Sequence, residues 1–562
     1  MPKINIIIFF IISFLLTAEA HAGAQKNRIT IYCDDITGNV NRKVFGNNCL
    51  GYIPYDMPSN LANADYGAGI WDSKWYNKPN PKVVNLAKQA GVSVMRFPGG
   101  CGTHQYKWKE AINKDRDSFR FGIDEFLEVC KSIGCEAIFT ISYFEGDEQD
   151  AANLVEYLNT PYSEGIDVKY VWAAKRAHKG HSRPYGVKYF EIGNEDWHGD
   201  HIKINKVLPE EYAKRYLRYY DAIKKIDSSV MVGAILYSPE WNQKVMEIIK
   251  DKVDFGVVHI YPRAGVTDKK LEAMDPKDVF RIKLTVAMSR YDIELKKIHQ
   301  LFKKNSGKDI PIAVTEYNGG LRREKPIPYR HSLGMAIINA ELVRVLLDPE
   351  NGVLMANYWN LVNEHWGMVA NGFNGDEGYF YNPYFKRPSY YVYRMYHEHF
   401  GDKLLRSDIY SDSYAFKEYI FFSKDILNEI REGQSNLSIK RKVNIEIDDK
   451  EKSMFVPYLS VVASRDTHGN KVHLMVVNKN MDDQVTATIE LKDFIPTGAG
   501  NVWILNGPSF DATNEVKHDN IKVTHKKFWV WSKDPVVKSN FEFTFEPHSL
   551  TAIEIHGHIA KE

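Results

Sequence analysis

The chain has 562 residues, 44% hydrophobic and 26% charged, so it is globular in composition and too long for one small core. Its 73 Lys and Arg against 72 Asp and Glu leave a formal charge of +1, which advertises neither a nucleic-acid partner nor an anionic membrane. Aromatics at 13%, with 33 Tyr and 11 Trp, suit instead a neutral, hydrogen-bonding ligand whose apolar faces can lie on flat rings.

At the N-terminus Lys3 precedes an apolar run from Ile6 to Ile12, continued by Phe14, Leu15 and Leu16 and followed by the small residues Ala18, Ala20 and Ala22. The pattern predicts a cleaved signal peptide over 1–22, hence a secreted or periplasmic protein without membrane contact after cleavage. The apolar stretch falls short of the ~20 residues that span a bilayer. All five cysteines, Cys33, Cys49, Cys101, Cys130 and Cys135, come later, where an oxidising compartment permits disulfides.

A short alternating segment over 28–43 is expected to join a C-terminal sheet, since it precedes the first barrel-type strand. From Val44 buried strands alternate with amphipathic helices. Eight strands are predicted: Val44 to Leu50, Val92 to Phe97, Ala137 to Ser142, Tyr189 to Glu195, Met231 to Leu236, Phe255 to Tyr261, Ile312 to Tyr317 and Val353 to Trp359. Helices such as Lys82 to Ala90, Ile123 to Ile133, Glu210 to Ile226, Trp241 to Ile249 and His331 to Leu347 separate them, several closed by Gly before the next strand. Eight parallel strands with intervening helices read as a (β/α)₈ barrel over 44–400. Past Phe400 the helical period stops, and alternating runs such as Tyr458 to Ser464 and Thr551 to Ile555 predict an antiparallel β-sandwich over 401–562. The charged stretch Glu429 to Lys452 reads as a solvated insertion.

Barrels carry their chemistry where the strands end at the C-terminal face. The fourth predicted strand closes on Asn194 and Glu195 and the seventh on Glu316, so two carboxyl groups can face each other across the mouth. Glycoside hydrolysis needs such a pair, one to protonate the leaving oxygen and one to attack carbon or activate water. The charge of Glu316 is expected to raise the pKa of Glu195. His198 and His201 stand three apart, but no third ligand accompanies them in a known metal pattern, so neither a metal nor another cofactor is expected.

Gly193-Asn194-Glu195 with the later Glu316 resembles the retaining barrel glycosidases of clan A. The segments Arg96-Phe97-Pro98-Gly99-Gly100, Ala151 to Tyr157, Tyr185 to Glu195 and Pro547 to Thr551 resemble, more narrowly, the family 51 α-L-arabinofuranosidases. The resemblance implies Glu195 as acid/base and Glu316 as nucleophile on an oligo- or polysaccharide substrate. It implies Asn194 on the sugar hydroxyl beside the anomeric carbon, Tyr261 on Glu316, and Arg96 as the charge that keeps Glu316 ionised. His259 can reach a sugar hydroxyl, and Trp359 can floor the sugar site. Other clan A activities, a β-xylosidase or an endo-β-glycanase, stay open, as does a silent carbohydrate-binding barrel; two retained Glu residues speak against silence.

The pocket departs from the family pattern. Gly46-Asn47-Asn48-Cys49-Leu50 lacks the family's Glu, and Cys101 stands where an Asn is usual. Fewer polar sugar ligands point to weak action on a simple aryl arabinofuranoside or preference for a different or larger glycan. Cys49 and Cys101 follow adjacent strands, so either a bridge or an unbonded apolar wall fits that spacing.

Overall fold

The computed structural model describes residues 27–49, 70–72, 78–112, 121–163, 170–263, 268–371, 373–374, 379–380, 384–417, 428, 431, 446–448, 450, 453–530 and 539–560. The 1–22 segment and most of Glu429 to Lys452 lie outside them.

Eight parallel strands close into a barrel: Gly46–Asn48, Val94–Phe97, Glu136–Ile141, Tyr189–Ile192, Met231–Ile235, Phe255–Ile260, Ile312–Tyr317 and Val353–Tyr358. Whole strands are buried on both faces, as in Val94–Phe97 and Ile312–Tyr317, because side chains fill the barrel inside and helices cover it outside. The first strand is shorter than predicted, since Arg42–Phe45 forms a 3₁₀ turn capped by the Asn41 side chain.

Local chemistry sets the helix ends. Asn80 caps Pro81–Gln89 by accepting from the amides of Lys82 and Val83, and Ser238 caps Pro239–Ile249. Gly134, at φ 87°, ends Ile123–Ile133 in the left-handed conformation. The helix Pro276–Ser306, capped by Asp275 and stopped by Gly307, carries no clear periodic signal, because buried Lys283, Thr285 and Ser289 interrupt its apolar positions.

The second unit is one nine-stranded sheet built mainly from residues after 402. Its pairings are antiparallel with one exception. The strand Arg28–Asn39 lies antiparallel to Lys403–Tyr410 but parallel to Val485–Lys492. Strands distant in the order touch across a core that includes Ile29, Ile31, Val461, Leu474 and Ile553. Alternate residues on the opposite face, among them Val462, Met475 and Leu550, join the barrel's core. A buried polar link crosses the same junction. Glu341, on the barrel helix Leu333–Leu346, accepts from Lys479 Nζ at 3.1 Å, from Arg344 Nε at 3.0 Å and from Ser460. Burial raises the Glu341 carboxyl, but two facing cations outweigh it and hold it down at about 2. Lys479 faces one carboxylate only, and burial brings it to about 8.

Candidate active site

The fourth barrel strand stops at Ile192, so Glu195 stands in the turn that follows it. Gly193 has φ 87°, and a Cβ there would come within 1.9 Å of Asp196 Oδ2. Glu195 itself has φ 50°, a conformation that disfavours a side-chain-bearing residue by about 1–3 kcal/mol and is held by surrounding contacts. Among these, the His198 amide donates to the Glu195 carbonyl at 2.9 Å, and buried Asp196 accepts the Asn194 amide at 3.1 Å. Burial pushes the Asp196 carboxyl up to about 8.

Glu316 is pinned through both oxygens. Arg96 Nη1 donates to Oε1 at 3.0 Å, and the Tyr261 hydroxyl donates to Oε2 at 2.6 Å. Arg96 is fully buried and organises the barrel floor: it also donates to Glu191 at 2.5 Å, Asn48 at 3.1 Å and Asn194 Oδ1 at 2.7 Å. Burial disfavours its charge, but Glu191 and Glu316 outweigh that and raise its pKa. Because Asn194 Oδ1 is occupied by Arg96, its amide nitrogen points to Cys101 Sγ, 3.9 Å away.

Glu195 and Glu316 meet at His259. His259 Nδ1 lies 2.8 Å from Glu195 Oε1 and 3.6 Å from Glu316 Oε2, and carboxylate oxygens of the two Glu residues approach within 4.8 Å. The expected rise in the Glu195 pKa is corrected here. Burial does raise it, but the hydrogen bond and charge of His259 outweigh burial and lower it to about 2. His259 shifts the other way: burial lowers it, and the two carboxylates raise it by more. Both shifts favour the charged forms, Glu195 as carboxylate and His259 as imidazolium, across one hydrogen bond.

Trp359 follows the eighth strand and lies over the Gly99–Gly100 turn, where a Cβ on Gly100 would meet its ring at 2.4 Å. That turn needs glycine for a second reason, since Gly100 has φ 67°. On the other side of Glu195 a cleft of about 640 Å³, its open mouth included, runs past Trp197, Tyr237, Arg263 and Tyr291. Tyr237 is 48% exposed and stacks on Trp197 with centroids 4.3 Å apart.

All seven sequence-predicted residues thus border the same mouth. Sequence reasoning overlooked Asn48 and Glu191 as partners of Arg96, and Trp197 with Tyr237 as a rim platform. Asn48 does not substitute for the family's sugar-binding Glu, because its amide donates to the Thr315 carbonyl at 2.8 Å while its oxygen accepts from Arg96. The Cys49–Cys101 bridge is absent and all five cysteines are free. The buried Cys49 thiol lies on the side of Cys130 and Cys135, whereas Cys101 faces Asn194 and His201.

Two family models match in tandem, the α-L-arabinofuranosidase 1 domain over 87–278 and the α-L-arabinofuranosidase C-terminal domain over 316–549. The chain is a family 51-like glycoside hydrolase. An intracellular exo-α-L-arabinofuranosidase of Bacteroides ovatus is 23% identical, over 85% of this chain and 87% of its own. An intracellular exo-α-(1→5)-L-arabinofuranosidase of Acetivibrio thermocellus is 26% identical, over 52% of this chain and 58% of its own. Among solved structures, the α-L-arabinofuranosidase of Thermotoga maritima in its arabinose complex shares the fold of this hydrolase, with a TM-score of 0.72 at 22% identity, over 94% of this chain and all of that one. The expected secreted or periplasmic location is corrected: these two relatives are named as intracellular enzymes, and that overturns it. No described helix is long and apolar enough to cross a membrane.

Proposed function

We propose that this hydrolase is an intracellular, retaining α-L-arabinofuranosidase that removes terminal arabinofuranosyl units from oligosaccharides. The observation that carries the mechanism is the approach of Glu195 and Glu316 oxygens within 4.8 Å. For the nearest oxygens this suits the ~5–5.5 Å carboxyl spacing of direct attack better than the ~6.5–9.5 Å that accommodates an intervening water. Glu316 attacks the anomeric carbon while Glu195 protonates the departing glycosidic oxygen. Arg96 and Tyr261 hold the attacking carboxylate in place, and His259 passes its proton to Glu195 along their shared hydrogen bond before Glu195 gives it to the leaving oxygen. Water then cleaves the glycosyl-enzyme ester with Glu195 as base, restoring Glu316. Asn194 donates to the hydroxyl next to the anomeric carbon, a contact that strengthens as the oxocarbenium character develops. Trp359 floors the sugar subsite, and the Trp197–Tyr237 stack supports the leaving-group sugar.

The substrate follows from the named activities of the relatives and from the cleft beyond Glu195, which favours an oligosaccharide over a simple aryl glycoside. The test is a screen of α-L-arabino-oligosaccharides against aryl α-L-arabinofuranoside, β-xyloside, β-glucoside and β-galactoside, with the first-formed anomer followed by NMR. Retained configuration and the highest kcat/KM on the arabino-oligosaccharide are expected. Inverted product removes the nucleophile assignment, and a xyloside or glucoside preferred over every arabinofuranoside removes the substrate.

A further inference from the structure

Beside this site, outside the two-carboxylate chemistry, three soft or borderline donors converge from two loops. Cys101 and His104 lie in the 3₁₀ segment Gly100–Gln105 after the second barrel strand, and His201 lies in the loop after the fourth. The thiol of Cys101 and one ring nitrogen of each histidine all fall within 4.8 Å of one another, and Cys101 Sγ is 3.3 Å from His201 Nε2. Gln105 Nε2 donates to the Asp200 carbonyl at 3.1 Å and ties the two loops together.

His104 supplies an independent observation. It is 1% exposed, and neither of its ring nitrogens has a hydrogen-bond partner. An imidazole buried this deeply is ordinarily satisfied on at least one side, and each unpaired polar group costs on the order of 1–3 kcal/mol. We infer that Cys101, His104 and His201 form a binding site for one thiophilic divalent cation of the Zn²⁺ class at the rim of the barrel mouth.

The donor geometry suits such an ion. Metal–sulfur bonds of ~2.3 Å and metal–nitrogen bonds of ~2.0–2.1 Å at tetrahedral angles set neighbouring donors about 3.5 Å apart, close to the Cys101–His201 separation. The ion takes the lone pair of one His104 nitrogen. Asp196 Oδ1 lies 3.8 Å from His104 Nδ1, outside hydrogen-bond reach, and would have to close on that nitrogen to orient the ring while Nε2 holds the ion. On binding, the Cys101 thiol gives its proton to solvent as the sulfur–metal bond forms, with no change of oxidation state. One thiolate and two imidazoles leave a fourth tetrahedral position for water or a sugar hydroxyl. The ion would then adjoin Asn194, whose amide nitrogen is 3.9 Å from Cys101 Sγ.

The probe is Co²⁺ added to the reduced full-length protein, read by absorption and therefore independent of any substrate. One equivalent is expected to give tetrahedral visible bands and a thiolate-to-cobalt charge-transfer band in the near ultraviolet, all displaced by Zn²⁺. The charge-transfer band should vanish in Cys101→Ser, and the tetrahedral spectrum should be lost in His201→Ala, whose exposed side chain can be removed without disturbing the core. Glu316→Gln should keep the full spectrum, which separates this site from the Glu195, His259 and Glu316 group. No charge-transfer band in the wild type, a spectrum surviving His201→Ala, or one lost in Glu316→Gln overturns the inference.

Discussion

Replacing Tyr261 by Phe removes one hydroxyl and nothing else. That hydroxyl donates to Glu316 Oε2 at 2.6 Å, while Arg96 holds the other oxygen at 3.0 Å. With the hydroxyl gone, the nearest polar atom known to face Oε2 is His259 Nδ1 at 3.6 Å, too far to replace the bond. A hydrogen bond to a charged group is worth about 1.5–3 kcal/mol. At 1.36 kcal/mol per decade, this is a loss of about 10- to 150-fold in the glycosylation step. The bond orients the attacking oxygen rather than the sugar, so kcat on a substrate whose glycosylation is rate-limiting should fall while KM holds steady. Steady-state kinetics with an α-L-arabino-oligosaccharide, together with a melting curve that matches wild type, makes the measurement. A change below ~3-fold, or a loss confined to KM, would refute the role of Tyr261 as a positioning donor.

Glu195→Ala should cut kcat/KM by about 10²- to 10⁴-fold on poor leaving groups and spare activated aryl glycosides, with azide restoring turnover of the latter; equal loss on both substrate types would take Glu195 out of the acid role. Lys479→Met should destabilise the protein by about 3–5 kcal/mol, because it leaves Glu341 buried without one of its cations, and chemical denaturation reads this directly. Glu341, held at about 2 when folded against an ordinary 4.5, contributes stability above pH 4.5 that is lost as pH falls towards 2. The wild-type melting temperature should therefore drop across that window more steeply than that of Glu341→Gln; parallel curves would show that this carboxyl is not a source of acid sensitivity.

The eight barrel strands were legible because a strand buried on both faces leaves a continuous apolar run, and glycines and capping side chains mark its neighbours locally. The placement of the two Glu residues was legible for a related reason, since each lies near the C-terminal end of such a run, Glu195 in the turn after it and Glu316 one residue before its close. Pro276–Ser306 escaped, because burial around most of its circumference with polar residues inside it erases the amphipathic period. The parallel pairing of Arg28–Asn39 with Val485–Lys492 escaped too, because alternation specifies a strand and not its partner.

The amino-acid sequence by itself placed seven candidate residues at strand ends and turns around the barrel mouth, because those follow from short-range patterns. Only the tertiary structure decided how they act on one another. Arg96 finds Asn48, Glu191 and Glu316 across the floor, His259 reverses the expected shift of Glu195, and Cys101 turns from Cys49 towards His201. Those contacts join residues far apart in the chain, and hydrogen bonds and charge act through distances in space that no spacing along the chain encodes.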